Sequence, residues 1–209
     1  MPGDAQKDYS TPVVLVHGYL ATKDLMLTLQ GKLQKAGFST HTVDLPFLNL
    51  GDIRLIAQKL HLELAKIQLK TGAEKCDLIG VSSGGLIGWY YIKHIGGAKA
   101  VRRFVAIGTP FRGSRLGYVG VLVFGFLSPS AWQCLPHSPF LQEIINDPSL
   151  DGVEAYSLYA RNDPIAPPSS CRLEGAENID VGDLLFPVSH QHLIFSNKVF
   201  QALQDILAK

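Results

Sequence analysis

The sequence predicts an α/β fold: a mostly parallel six-stranded sheet with helices on both faces. Three observations carry that prediction. Short β-branched runs alternate along the chain with helix-period patterns, as strand–helix–strand units require. The first run, Val13–Val16 (VVLV), is continuously apolar, which suits a strand covered on both faces. The 209 residues are 46% hydrophobic and carry 19 Lys and Arg against 18 Asp and Glu, far from the composition of a disordered chain. Such a length suits a single domain, residues 1–209, with room for an insertion. The near-zero net charge argues against a nucleic-acid partner bound through a large positive field.

The elements follow in order. Residues 23–36 read as a helix stopped by Gly37, and 38–45 as the second strand. Asp52 caps a long helix whose Ile53, Ile56, Leu60, Leu64 and Ile67 share one face, and Gly72 ends it. Residues 76–79 form the third strand, 83–95 a helix and 101–107 the fourth strand. Residues 153–160 and 178–181 supply two more strands, and 197–207 a last helix. Only residues 111–152 break this rhythm. They are rich in Gly, Pro and aromatic residues and stand where about 2–6 residues usually suffice. They are expected to be an inserted lid or cap.

Other classes are excluded or constrained. The most apolar run, residues 116–127 (LGYVGVLVFGFL), falls short of the roughly 20 residues of a transmembrane helix. The N-terminus opens polar (MPGDAQKDYSTP) with no secretory signal, so a cytoplasmic or membrane-peripheral location is expected. Cys76, Cys134 and Cys171 are too few for a disulfide scaffold and lean toward a reducing compartment, with a Cys134–Cys171 bridge left open. No His, Cys and acidic cluster has zinc spacing, and neither a Walker loop nor a dinucleotide fingerprint is present.

The chemistry is concentrated in Gly80-Val81-Ser82-Ser83-Gly84, which follows the third strand and opens a helix. In such a strand–turn–helix elbow the serine sits on a strained turn, and glycines two residues either side allow close packing. Ser82 is therefore the candidate nucleophile. Ser83 is not, because position 81 would then have to be glycine.

With these residues the sequence resembles the α/β-hydrolases, and within them the small bacterial class 2 lipases and esterases. VVLVHGY at 13–19 resembles that family's first strand and oxyanion turn, and DLIGVSSGGL at 77–86 its elbow. WYYIKHIGG at 89–97 looks like the helix that follows, and VAIGTPFRGS at 105–114 resembles a Thr-Pro-x-x-Gly-Ser segment of many lipases. SHQHLIFSNKV at 189–199 resembles the catalytic-histidine segment. Val81 departs from the pattern, since family members most often carry histidine there.

A serine hydroxyl needs a base, and the base needs a carboxylate to fix its tautomer. In this fold the order is Ser, Asp or Glu, then His. His94 falls inside a helix and His137 inside the insertion, whereas His190 and His192 both follow the last strand. The resemblance selects His190 over His192. Asp163, just beyond the penultimate strand, stands where ligands collect in open α/β sheets, with Asp180 and Asp183 as competitors. The oxyanion hole needs two backbone N–H donors. One is expected from Ser83; the resemblance implies Tyr19 for the other, with His17 structuring the turn. No cofactor or metal is needed.

The sequence thus points to a serine carboxylester hydrolase acting on an acyl ester or lipid, with medium to long acyl chains suggested by the apolar insertion. Phe111, Leu122, Phe124, Phe126 and Trp132 are the substrate or lid candidates, and transient contact with a lipid interface is expected of such a flap. A thioesterase or acyltransferase would use the same triad, and a non-catalytic lipid-binding protein could share the fold.

Overall fold

The computed structural model describes residues 10–147, 149–183 and 190–209, the side chains of Phe47, Phe124 and Phe126 apart. Its elements are β1 (Val13–Val16), α1 (Leu27–Lys35), β2 (Thr40–Thr42), α2 (Ile53–Thr71), β3 (Cys76–Val81), α3 (Ser83–His94) and β4 (Val101–Ile107). They continue with α4 (Gly117–Phe124), α5 (Pro129–Gln133), α6 (Pro139–Ile145), β5 (Glu154–Tyr159), α7 (Pro168–Cys171), β6 (Glu177–Asp180) and α8 (Asn197–Leu207).

The six strands form one sheet in the order β2-β1-β3-β4-β5-β6, and every pairing is parallel. The six-stranded sheet expected from the sequence is therefore present, and more uniformly parallel than expected. Successive strand residues feed opposite cores. Val14, Leu78 and Phe104 pack with residues of α2, α3 and α6, while Val13, Leu15, Ile79 and Val105 pack with residues of α1 and α8. Both faces are thus dry, which is why VVLV contains no polar alternation. Trp89 of α3 is buried against Phe104, and its indole N–H donates to the Ile144 carbonyl at 3.0 Å. That bond ties α6, on the far side of the insertion, to the helix leaving the elbow.

Helix ends follow local chemistry. Asp52 accepts from the Arg54 N–H at 2.8 Å, and Gly72 closes α2 in the left-handed region (φ +73°), as its cap and stop residues predict. The 23–36 segment departs from expectation. Thr22 makes no side-chain cap, and the first turn, Lys23–Met26, is a tight 3-10 turn before α1 begins. The second strand is also shorter than expected. It pairs only from Thr40 to Thr42 because β1, four residues long, is its one partner.

Residues 111–152 contain three short helices, α4, α5 and α6. Ser128 and Ser138 cap α5 and α6, accepting from the Ala131 and Leu141 N–H groups, and each is followed by a proline in the first turn. The Cys134–Cys171 bridge left open by the sequence is not formed, and all three cysteines are free thiols. No helix among the described residues is long and apolar enough to cross a membrane.

Candidate active site

The strand order places the site. β1 and β3 are neighbours although β2 lies between them in sequence, so the chain reverses its direction of winding beside β1. The crevice at the carboxyl ends of such strands is where open α/β sheets bind ligands. Ser82 stands there, at the end of β3, with φ +55° and ψ −128°. A non-glycine residue in that region costs about 1–3 kcal/mol and persists only when its surroundings impose it. Here β3 fixes one side, the Ser82 N–H donating to the Ile107 carbonyl at 2.8 Å, and α3 starts at the next residue. Close packing fixes the other. A β-carbon on Gly84 would lie 2.4 Å from the Val16 carbonyl oxygen, so only glycine lets α3 approach the end of β1.

Asp163 and His190 come together from separate loops. Asp163 Oδ1 accepts from the Ile165 and Ala166 N–H groups at 2.9 and 3.1 Å, which turns Oδ2 toward the imidazole. His190 Nδ1 lies 2.5 Å from that Oδ2, and both residues are buried. This bond makes Nδ1 the protonated nitrogen and leaves Nε2 as the basic lone pair. Nε2 is buried with no hydrogen-bond partner among the described residues, and His190 and Ser82 line the same cavity of about 190 Å³.

The competing residues lie elsewhere. His192 is exposed, edge-on to Phe195. Asp180 pairs with Arg161 at 2.7 Å, and Asp183 is exposed. His94 is the exposed last residue of α3, its ring tilted against that of Tyr90. His137 lies between α5 and α6 with φ +62°, away from the cavities that Ser82 lines.

Tyr19 and Ser83 flank Ser82. Neither backbone N–H donates to another group among the described residues, so both remain available to an incoming oxygen. Gly18 permits the close approach of this turn, since a β-carbon there would lie 2.9 Å from Ser82 Cβ. His17 is buried, and burial lowers its pKa below the ordinary imidazole value, keeping it neutral. The turn also rests on residues that patterning did not single out. Asn49, buried and at φ +52°, donates to the His17 carbonyl at 2.9 Å, and the Leu48 carbonyl accepts from Leu20 at 2.8 Å.

A second, larger cavity of about 360 Å³ also borders Ser82, within the range of small-molecule sites. Leu116, Val119, Gly120 and Val123 of the α4 region, with Ala131 and Cys134 beyond it, supply its wall together with Ile165. These are not the residues marked from the sequence. Phe111 is wholly buried and packs edge-on to Trp89 of α3, within the core. Leu122 is 86% exposed and Trp132 53% exposed, Trp132 donating its indole N–H to the Gly125 carbonyl, so both face outward. The Phe124 and Phe126 side chains lie outside the described residues. Reading 116, 119, 120 and 123 as one helix face would have found the wall.

Residues 11–129, more than half of the chain, match a family described as alpha/beta hydrolase fold. No curated protein matches the sequence. Among solved structures, the mature Bacillus licheniformis lipase BlEst2 superposes with a TM-score of 0.83 at 18% identity, over 100% of this chain and 96% of that one. Aspergillus fumigatus lipase B superposes with 0.79 at 20% identity, over 98% of this chain and 55% of that one. A Listeria innocua protein gives 0.69 at 19% identity, over 95% and 94%. At these identities the likeness is one of fold.

Proposed function

The chain belongs to the α/β-hydrolase family, and on that premise we propose that it is a serine carboxylester hydrolase of the lipase or esterase type. The observation that carries the proposal is the 2.5 Å contact between His190 Nδ1 and Asp163 Oδ2, made at the cavity that Ser82 also lines. The lipase neighbours in fold support it.

In the proposed reaction, His190 Nε2 takes the proton of Ser82 Oγ as that oxygen attacks the ester carbonyl. The carbonyl electrons move onto oxygen, where the Tyr19 and Ser83 N–H groups receive them. His190 returns the proton to the leaving alcohol, leaving an acyl group on Ser82. Water repeats the sequence to release the acid and restore the serine. Asp163 holds the tautomer and stabilises the imidazolium.

The two cavities receive separate roles in this scheme. His190 must reach the leaving oxygen, so the alcohol occupies the cavity of about 190 Å³ that His190 lines. The acyl chain then lies in the apolar cavity of about 360 Å³ under α4, which favours medium to long chains. Residues 111–152 act as the lid or cap. From Leu116 to Pro136 the sequence contains no charged residue, and Tyr118, Val119, Leu122, Val123 and Leu127 are each more than half exposed. A lipid surface is the surroundings in which that patch is stable.

The test is labelling with a fluorophosphonate, whose phosphorus takes the place of the ester carbonyl and loses fluoride. One equivalent is expected on Ser82, and none on Ser82→Ala. A folded protein that takes up no label would overturn the proposal and favour a lipid-binding role. Rates on a p-nitrophenyl ester series beside an acyl thioester of equal length then separate ester from thioester hydrolysis.

A further inference from the structure

We propose that Asn49 is a positioning residue for the oxyanion turn, and that the α5 end of the insertion holds it in place. The proposal rests on the ester-hydrolase reading above. Asn49 lies 1% exposed, with φ +52°, a conformation asparagine tolerates better than most residues. Its Nδ2 lies 2.9 Å from the His17 carbonyl oxygen and 3.4 Å from that of Gly18. The Gly18 carbonyl belongs to the same planar peptide unit as the Tyr19 N–H, and in a trans unit the two point in opposite directions. Drawing that oxygen toward Asn49 therefore aims the N–H the other way. The next unit is pinned as well, since the Leu20 N–H donates to the Leu48 carbonyl at 2.8 Å. Both peptide units that contain Tyr19 backbone atoms thus bond to residues 48–49, the Gly18 carbonyl also lying 3.2 Å from His17 Nδ1, which is itself 3.1 Å from Asn49 Nδ2.

Residues 48–50 are in turn seated on the insertion. Ser130 Oγ donates to the Asn49 carbonyl at 2.8 Å, and Ser128 Oγ donates to the Leu50 carbonyl at 3.3 Å. Ser128 Oγ also lies 3.1 Å from Tyr19 Oη, so one hydroxyl touches both the strap and the residue whose N–H it orients. Gln133 closes the ladder, its Oε1 accepting from the Ile53 N–H at 2.7 Å and its Nε2 donating to Asp52 Oδ1 at 2.7 Å.

A second observation separates this role from loop packing alone. Asn49 Oδ1 is buried without a partner among the described residues, although Nδ2 has several acceptors in reach. Glycine would hold the same left-handed backbone with no orphaned acceptor. What the side chain adds is therefore the pair of bonds to the turn.

The deciding variant is Asn49→Gly, which keeps that backbone conformation and deletes only the amide. Its kcat on p-nitrophenyl butyrate is expected to fall about 10- to 100-fold with KM within about twofold, less than outright loss of an oxyanion donor. Affinity for a trifluoromethyl ketone, which places an oxyanion on Ser82, should fall by the same factor as kcat. Asn49→Asp, of the same shape but presenting acceptors to two carbonyls, should be at least as slow. Ser130→Ala should lower kcat in the same direction by a smaller factor. A folded Asn49→Gly with unchanged kcat, or a loss confined to KM, overturns the proposal. If Asn49→Gly does not fold, Ser130→Ala decides, and an unchanged kcat there overturns it. Wild-type protein that neither hydrolyses the ester nor takes a fluorophosphonate instead overturns the hydrolase reading itself.

Discussion

The Asp163–His190 corner and the α4–α5 segment border the same serine, yet they are built in opposite ways. The corner is buried and polar, and its atoms are fixed several times over. Asp163 accepts two backbone N–H bonds besides the imidazole, and Gly108 lies so close beneath that ring that a β-carbon there would be 3.0 Å from His190 Cε1. The α4–α5 segment is apolar and half exposed, and its polar anchors gather at its base, on Ser128, Ser130 and Gln133. Directional chemistry needs fixed atoms, so it sits on the sheet. Recognition of an acyl chain needs only apolar area, which is non-directional and tolerates a loosely held element. The proposed lid can therefore vary without disturbing the reacting groups, except through its base.

The sheet side should give the larger loss when broken. Asp163→Asn keeps the shape of the side chain but removes the charge that sets the His190 tautomer. A fall in kcat of about 10⁴-fold is expected, as for other serine triads. The ester-hydrolysis rate at saturating substrate is the measurement, with circular dichroism as a check on folding. A fall of less than about tenfold would remove Asp163 from the proposed triad and reopen the search for the carboxylate.

The same contrast explains what was legible in the sequence. On the sheet side each residue type is dictated by a local constraint: apolar runs for buried strands, glycine beside a strained serine, a carboxylate at a strand's end. Ser82 and the β3–α3 junction were accordingly visible from motif and period alone. His190 and His192, two residues apart in one loop, could be separated only by the resemblance; the structure brings His190 to Asp163 and turns His192 outward. The insertion obeys a weaker rule. Apolar side chains such as Leu116, Val119, Leu122 and Val123 look alike in sequence, and only the helix phase decides which line the cavity and which face solvent alone. Its helices α5 and α6 start at Ser-Pro pairs, 128–129 and 138–139, a local signal that fixes where a helix begins but not which way it faces. Asn49 was not legible, because its role depends on a turn more than 25 residues away.

The insertion should break differently. Leu122→Glu places a charge on a side chain that is 86% exposed, so the melting temperature should stay within about 2 °C of wild type. Turnover of a dissolved short-chain ester should also be unchanged. On an emulsified long-chain ester the rate should fall about tenfold, since a charge at a lipid interface opposes burial of α4. Equal loss on both substrates would mean that α4 acts on the reacting groups and not on the interface. No loss on either would leave the segment a fixed cap.

The smallest effect returns to the sheet side and depends on pH. Burial of His17 lowers its pKa, so the folded protein binds its proton less readily than the unfolded chain does. Stability from this source is complete above the unfolded value of about 6.5 and is lost as pH falls from there through the folded pKa. The melting temperature should therefore decline on acidification below about pH 6.5, and His17→Gln, which cannot be protonated, should flatten that part of the decline. The α4–α5 segment contains no acidic or basic side chain from Leu116 to Pro136, so it supplies no comparable slope. If the decline below pH 6.5 were the same in His17→Gln, the imidazole behind the oxyanion turn would not be the group that resists protonation. The acid sensitivity would then belong to another group on the sheet side.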